Sequence, residues 1–400
     1  MVAGKLPILT CTVVAVSCLT QDPPTIRLAT QVDFETPPDA GEPNLYAAPN
    51  GDVFMSWLAR TDSGNALLVS ARSGGKWSQP AVAYQSHEMF ANWADFPSIA
   101  ITTDGTWVVH WLEKTAAMPY AYHARVSHSS DRGLTWSDPV TIHSDRSATE
   151  HGFVSMVPGP DGTVDMAWLD GRATGEQPRG AMQVRSGVLA YGQVIAETMV
   201  DDRVCDCCQT ALARTSSGLV AAYRDRSKQE IRDIAVRVNQ NGAWSDPIHV
   251  GEDGWHIEAC PVNGPALATI DNNVAIAWFT APEREEKVQV AFSENAGQSF
   301  GPPIRVDVGA PLGRVDIEFL DDSTALAVWL ERVGEDAEIM GVTISAGGTL
   351  GHPVVLASTS QARQSGFPRL ARSGSELLIA HRALGPDGGT IRVLKASIDR

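Results

Sequence analysis

Sulfur, imidazole and carboxylate side chains crowd into two short runs of this sequence, Val204-Cys205-Asp206-Cys207-Cys208-Gln209 and Trp255-His256-Ile257-Glu258-Ala259-Cys260-Pro261. Thiolate and imidazole are the ligands that soft or borderline ions take. Cys205, Cys207, Cys208 and Cys260 with His256 would therefore suit copper or zinc, with His151 placed to assist. In an extended segment Cys205 and Cys207 point one way and Cys208 the other. The competing chemistry is oxidation. In an oxidising compartment the four cysteines form two disulfides, one of them joining the two runs through Cys260.

Either chemistry needs distant segments to meet, and a long-range repeat provides the means. Trp57, Trp111, Trp168, Tyr223, Trp278, Trp329 and His381 each close a short apolar run, at intervals of 51 to 57 residues. A period of this length marks a propeller or a solenoid. Each repeat reads as a strand, a turn such as Asn50-Gly51-Asp52 or Asp161-Gly162, and a second strand rich in β-branched and aromatic residues. A third strand and an outer fourth strand follow, the fourth opening with Pro in most repeats, as in Trp136-Ser137-Asp138-Pro139. Pro at the start of an outer strand costs no ladder bond. The seventh repeat lacks its fourth strand, and the segment Pro24–Ala29 has the character to supply it. The expectation is an all-β, seven-bladed β-propeller over residues 24–400, closed by pairing of an N-terminal strand with the last blade, which leaves no sheet edge exposed.

Composition limits the function classes. The formal net charge of −16 repels phosphate backbones and argues against a nucleic-acid partner. With 43% hydrophobic residues the chain can fill a large core. Residues 1–18 read as an export signal, with Lys5 before an uncharged stretch too short to span a bilayer. Ala15-Val16-Ser17-Cys18 is similar to a bacterial lipoprotein cleavage site, which would attach the chain to a membrane through a lipidated Cys18. The expected setting is the periplasm or cell envelope of a bacterium, as a monomer.

The turn Ser129-Ser130-Asp131-Arg132-Gly133-Leu134-Thr135-Trp136 matches the pattern Ser-x-Asp-x-Gly-x-Thr-Trp, and Ser293 to Phe300 is a looser copy. On this motif the chain resembles the sialidase-like Asp-box (BNR repeat) β-propellers over essentially its whole mature length. The motif itself is a structural device on the periphery. The resemblance places a site on the channel face, in the loops that lead into each first strand and leave each second strand. It implies a glycan or other small-molecule ligand, with exo-sialidase-like hydrolysis as the reaction. Arginines would clamp a sugar carboxylate, the candidates being Arg172, Arg224, Arg226, Arg314 and Arg369. Asp95, Glu150 and Glu258 are the candidates for acid/base work. A copper or zinc site at the cysteines, and a purely binding propeller, are the alternatives.

Overall fold

The computed structural model describes Met1 and residues 25–177, 180–385 and 388–399. The leader read over residues 1–18, with Cys18, lies outside the described residues except for Met1. Seven antiparallel sheets succeed one another along the chain. Their first strands are Ala40–Ala47, Ser98–Ile101, His151–Pro158, Ala211–Thr215, Ala266–Ile270, Pro311–Phe319 and Arg369–Ser373. Each first strand touches the next, and the seventh touches the first, so the sheets form a closed ring around a channel. The last blade is completed from the other end of the chain. Thr25–Val32 pairs antiparallel with Gly388–Asp399, in a register that sets Thr25 opposite Asp399 and Val32 opposite Val393. The described residues contain no helix long and apolar enough to cross a membrane.

The seven repeat-marking side chains all sit in second strands and all are buried, from Trp57 to His381. Such a ring fills the space between neighbouring sheets, and truncating one buried indole to Ala would cost about 3–5 kcal/mol. Several also tether a carboxylate near the rim. Trp168 Nε1 donates to Asp170 at 3.0 Å, Trp329 Nε1 to Glu331 at 2.6 Å, and Tyr223 Oη to Asp201 at 2.7 Å. The expected prolines stand just ahead of most fourth strands, which vary in length; Val140–Thr141 and Ile304–Arg305 have two residues each and Gln193–Val204 has twelve.

The turn at Asp131 has the geometry its sequence suggested. Asp131 accepts from the Thr135 amide at 2.9 Å and from Thr135 Oγ1 at 2.6 Å, and Ser129 Oγ accepts from the Gly133 amide. Gly133 takes φ +84°, and a side chain there would press on Trp107. Asn295 makes the matching bond to the Ser299 amide in blade five.

First strands of blades one, three and six each carry a bulge with one non-glycine residue at positive φ: Glu42, Phe153 and Arg314. A bulge turns a side chain out of the ladder and increases local twist. Here it occurs where the first strands begin, at the channel mouth.

Candidate functional site

One loop spans the channel mouth. Residues 91–97 lead into the first strand of blade two, and their side chains go to different blades. Trp93 and Phe96 pack on Phe367, ahead of blade seven, with ring centroids 5.9 Å apart in each case. Asp95 instead reaches blade three, where its buried carboxylate accepts the Phe153 amide at 2.7 Å. Gly152 allows this approach, since any Cβ there would collide with Asp95 Oδ2. The loop is held from below by Gln209, which donates to Ala94 O and accepts from the Gly264 amide.

Beside Asp95, the strand starts of blades two and three run parallel, with Tyr122 bridged to Glu150. Tyr122 Oη donates to Glu150 Oε1 at 2.5 Å, and the Tyr122 ring stacks on Phe90 at 4.8 Å. Burial pushes Asp95 up to about 8 despite the Phe153 hydrogen bond, and the charge of Glu150 adds to the rise. Burial likewise lifts the half-buried Glu150 to about 7; the Tyr122 hydrogen bond opposes this, and Asp206 and Cys205 reinforce it. Among the described residues neither carboxylate has an ion-pair partner. Tyr122 itself is fully buried, so it holds Glu150 rather than meeting a ligand directly.

On the other side stand two guanidiniums over aromatic faces. Arg314 lies 4.9 Å from the Trp93 ring and Arg369 4.7 Å from the Phe96 ring. The bulge sets Arg314 at φ +54°, and Asn263 Oδ1 fixes it by accepting its amide at 2.7 Å. Its Nη1 donates to Ser365 Oγ and to the Ala362 and Gly366 carbonyls. No carboxylate pairs with it among the described residues, and burial, with Arg363 nearby, pulls it down to about 10. Arg369 donates to Asn44 at 3.0 Å and lies 3.4 Å from Asp316. Phe96, Phe367, Asp316 and Arg369 help to line a channel cavity of about 150 Å³. Asp95 and Glu150 do not line it, although Phe96 and Val154 close to them in sequence do.

The remaining arginines of the expected clamp are engaged elsewhere. Arg224 is buried and donates to three backbone carbonyls, those of Asn263, Arg232 and Phe279, while stacking on Trp255. Arg226 is bidentate to Glu230 and reaches Asp206 at 3.0 Å. Arg172 bridges Asp170 and Glu197. Arg314 and Arg369 are thus brought together, and Arg172, Arg224 and Arg226 are held apart from them by their own partners. Glu258 and His256 are exposed on the blade-five loop.

The cysteine run turns at Asp206 and Cys207 instead of running extended. The turn sets the Cys205 sulfur 4.0 Å from that of Cys207, while Cys205 and Cys208 are both buried. Cys207 and Cys260 form a disulfide linking the loops before blades four and five, with Cα atoms 6.1 Å apart. Cys205 and Cys208 are free thiols, so one of the two expected disulfides is present. Burial resists ionisation of Cys205, but hydrogen bonds from Cys208 and the Cys207 amide, with Arg224 and Arg232 close by, outweigh it and hold the thiol at about 7. Burial first, then the Cys205 contact, drives Cys208 well above the usual thiol range. His256 is not part of the sulfur group, which comprises Cys205, Cys207 and Cys260. His151 belongs to a second group, with His123 and His143.

No family model matches the chain, and no curated protein matches its sequence. Its fold is shared with solved structures at low identity. A protein of unknown function from Dyadobacter fermentans is 13% identical, with 94% of this chain and 99% of that chain covered and a TM-score of 0.54. An ulvan lyase from a new polysaccharide lyase family is 11% identical over 91% of this chain and 95% of that chain, TM-score 0.57; it has also been solved bound to a chain of glucuronate and sulfated rhamnose. A Hadza microbial sialidase is 13% identical over 73% of this chain and 63% of that one, TM-score 0.46. The two likenesses with TM-scores above 0.5 support the propeller fold, and sialidases and polysaccharide lyases are among the neighbours.

Proposed function

We propose that this protein binds an acidic glycoside across the channel mouth and hydrolyses it with Glu150 as the proton donor. The observation that carries the reading is the arrangement around one loop: aromatic rings backed by Arg314 and Arg369 on one side, and the Tyr122-held Glu150 beside Asp95 on the other. Aromatic faces suit the apolar face of a sugar ring, and guanidinium suits a carboxylate or sulfate. In the reaction Glu150 gives its proton to the glycosidic oxygen as the C–O bond breaks. Water supplies hydroxide to the sugar carbon and returns the proton to Glu150. Asp95 is the second carboxyl of the pair. A fold shared with an ulvan lyase is in keeping with an acidic polysaccharide ligand, and the Asp-box turns are in keeping with sialidase-like kinship. The reading takes the protein as an exported monomer of a bacterial cell envelope, on the strength of residues 1–18.

The test is release of product from fluorogenic sialosides and from uronate-containing polysaccharides, with binding followed by calorimetry. Turnover that disappears in Glu150→Gln while binding persists supports the assignment. Absence of binding and turnover across the panel, or rates unchanged in Glu150→Gln and Arg314→Ala, overturns it.

A second reading rests on sulfur. Ligand atoms of Cys205, Cys207 and Cys260 all lie within 4.8 Å of one another. A dithiol reductant would open the Cys207–Cys260 bond, becoming oxidised as two thiols form. The three sulfurs then make a site for copper(I) or zinc. Thiol labelling before and after reduction, with metal analysis of the reduced protein, tests it; reduced protein that takes up neither metal ends it.

A further inference from the structure

We propose a divalent-cation site formed by His123, His143 and His151 with Asp145, at the seam of blades two and three. It stands independently of the glycoside reading. One nitrogen from each imidazole lies within 4.8 Å of the others. The three come from different segments: His123 from the strand Tyr122–Ser129, His143 from the loop after Val140–Thr141, and His151 from the strand His151–Pro158.

The hydrogen bonds fix which nitrogens carry a lone pair; the His143 and His151 rings stack nearly parallel with centroids 3.8 Å apart, so one ring must turn for both lone pairs to reach one ion. His143 Nδ1 lies 2.9 Å from the Asp145 carbonyl, and His151 Nδ1 lies 3.2 Å and 3.3 Å from the Thr149 and Tyr122 carbonyls. A carbonyl only accepts, so both Nδ1 atoms carry the hydrogen and both Nε2 atoms of the neutral rings carry a lone pair. A backbone carbonyl holding the outer nitrogen is the usual support of a metal-binding histidine. His143 Nε2 and His123 Nδ1 are buried and have no hydrogen-bond partner among the described residues. His151 Nε2 lies 3.0 Å from Asp145 Oδ2, so two electron-rich atoms face each other. A positive species between them resolves both the orphaned nitrogens and this repulsion.

Asp145 is the carboxylate available as a ligand. Asp170, 3.7 Å from His151 Nε2, is already committed to Arg172 and Trp168. Arg146 cannot fill the gap, because its guanidinium is turned to the His143 and Asp145 carbonyls. Three imidazoles and a carboxylate are donors for zinc or copper(II). The placement also gives the cation a positioning role. Adjacent strand residues point to opposite faces. Tyr122 and Glu150 meet on one face, so His123 and His151 meet on the other. A bound cation would clamp the same two strand starts that hold Glu150.

The experiment uses the full purified chain, equilibrated with zinc, copper(II) or cobalt(II) and then desalted. The expected result is one metal ion per chain by elemental analysis. Chelation should lower Tm and zinc should restore it. Cobalt should show visible ligand-field bands without a sulfur-to-cobalt charge-transfer band in the near ultraviolet. His123→Ala and His143→Ala should lose the metal, and Cys205→Ser should keep it. Should the histidine variants fail to fold, the cobalt spectrum of the unsubstituted protein decides between nitrogen and sulfur ligation. The proposal is overturned by a chain that retains no ion, by metal retained in both histidine variants, by a sulfur charge-transfer band, or by NMR evidence that a proton alone, as a His151 imidazolium, occupies the gap.

Discussion

The seam of blades two and three and the region of blades six and seven handle charge in opposite ways. At the first, Asp95 and Glu150 are buried or half-buried carboxyls with no cation paired to them among the described residues, and both are held protonated toward neutral pH. At the second, Arg314 is a buried guanidinium with no carboxylate partner among the described residues, satisfied by carbonyls and a hydroxyl and laid on Trp93. An ordinary interior would pair such groups with each other. Here one loop keeps them apart, with Asp95 turned to blade three and Trp93 and Phe96 turned to the arginines. Charge separated across a shared opening suits a ligand that has an anionic end and a bond to be protonated.

Breaking the acidic side should have the largest effect. Glu150→Gln should lower kcat by about a hundredfold to ten-thousandfold, the usual range for a lost general acid, with KM little changed. Breaking the basic side should act on binding. Arg314→Ala should raise KM or Kd for an acidic sugar by about tenfold or more, in line with roughly 1.5–3 kcal/mol for a charge-assisted hydrogen bond. A neutral glycoside of the same size should be much less affected.

The acidic side can also be tested through stability. Asp95 keeps its proton up to about 8 in the folded chain, above its ordinary value of 3.8. Between those values the folded state binds more protons than the unfolded state, so this group's contribution to stability falls as pH rises from about 4 to about 8. Asp95→Asn should flatten that slope, with a gain in Tm over the unsubstituted protein at pH 8 that fades toward pH 4. The smallest effect belongs to the periphery. Asp131→Ala should lower Tm by a few degrees through loss of the Thr135 bonds and leave turnover unchanged, because that turn lies away from the arginines and carboxyls.

The ring was legible because one side chain per repeat must fill the gap between sheets, and Trp57 through Trp329 recur for that reason. The closing strand was legible from a missing partner, since a blade with only three strands left an unpaired edge. Residues that lead into first strands were legible as rim residues, Asp95 and Glu150 among them. The division of labour among the arginines was not. Arg224 closes a second strand and Arg314 stands near the start of a first strand, both rim positions by sequence, and only the fold shows that Arg224 is enclosed by three carbonyls and Trp255. Tyr122, His123 and His143 went unnoticed because they lie at the start of a third strand and after a fourth, outside the loops where a propeller site is sought. A signal was present in the sequence: five of its ten histidines, from His110 to His151, fall within one blade's length. Nothing in it announced that Tyr122 would meet Glu150, which depends on how two blades abut. The turn at Asp206 and Cys207 was equally hidden, since alternation along an extended strand was the simplest reading of three closely spaced cysteines.

Thr25 lies opposite Asp399, so two segments far apart in the sequence share one sheet. A product cut short before residue 388 has nothing to lay against Thr25–Val32, and its seventh sheet keeps a bare margin of unpaired amides and carbonyls. Such a fragment would remain open to proteases and to its own kind. The seam between these two strands thus works as an inspection point: only a polypeptide that carries residues 388–399 can latch.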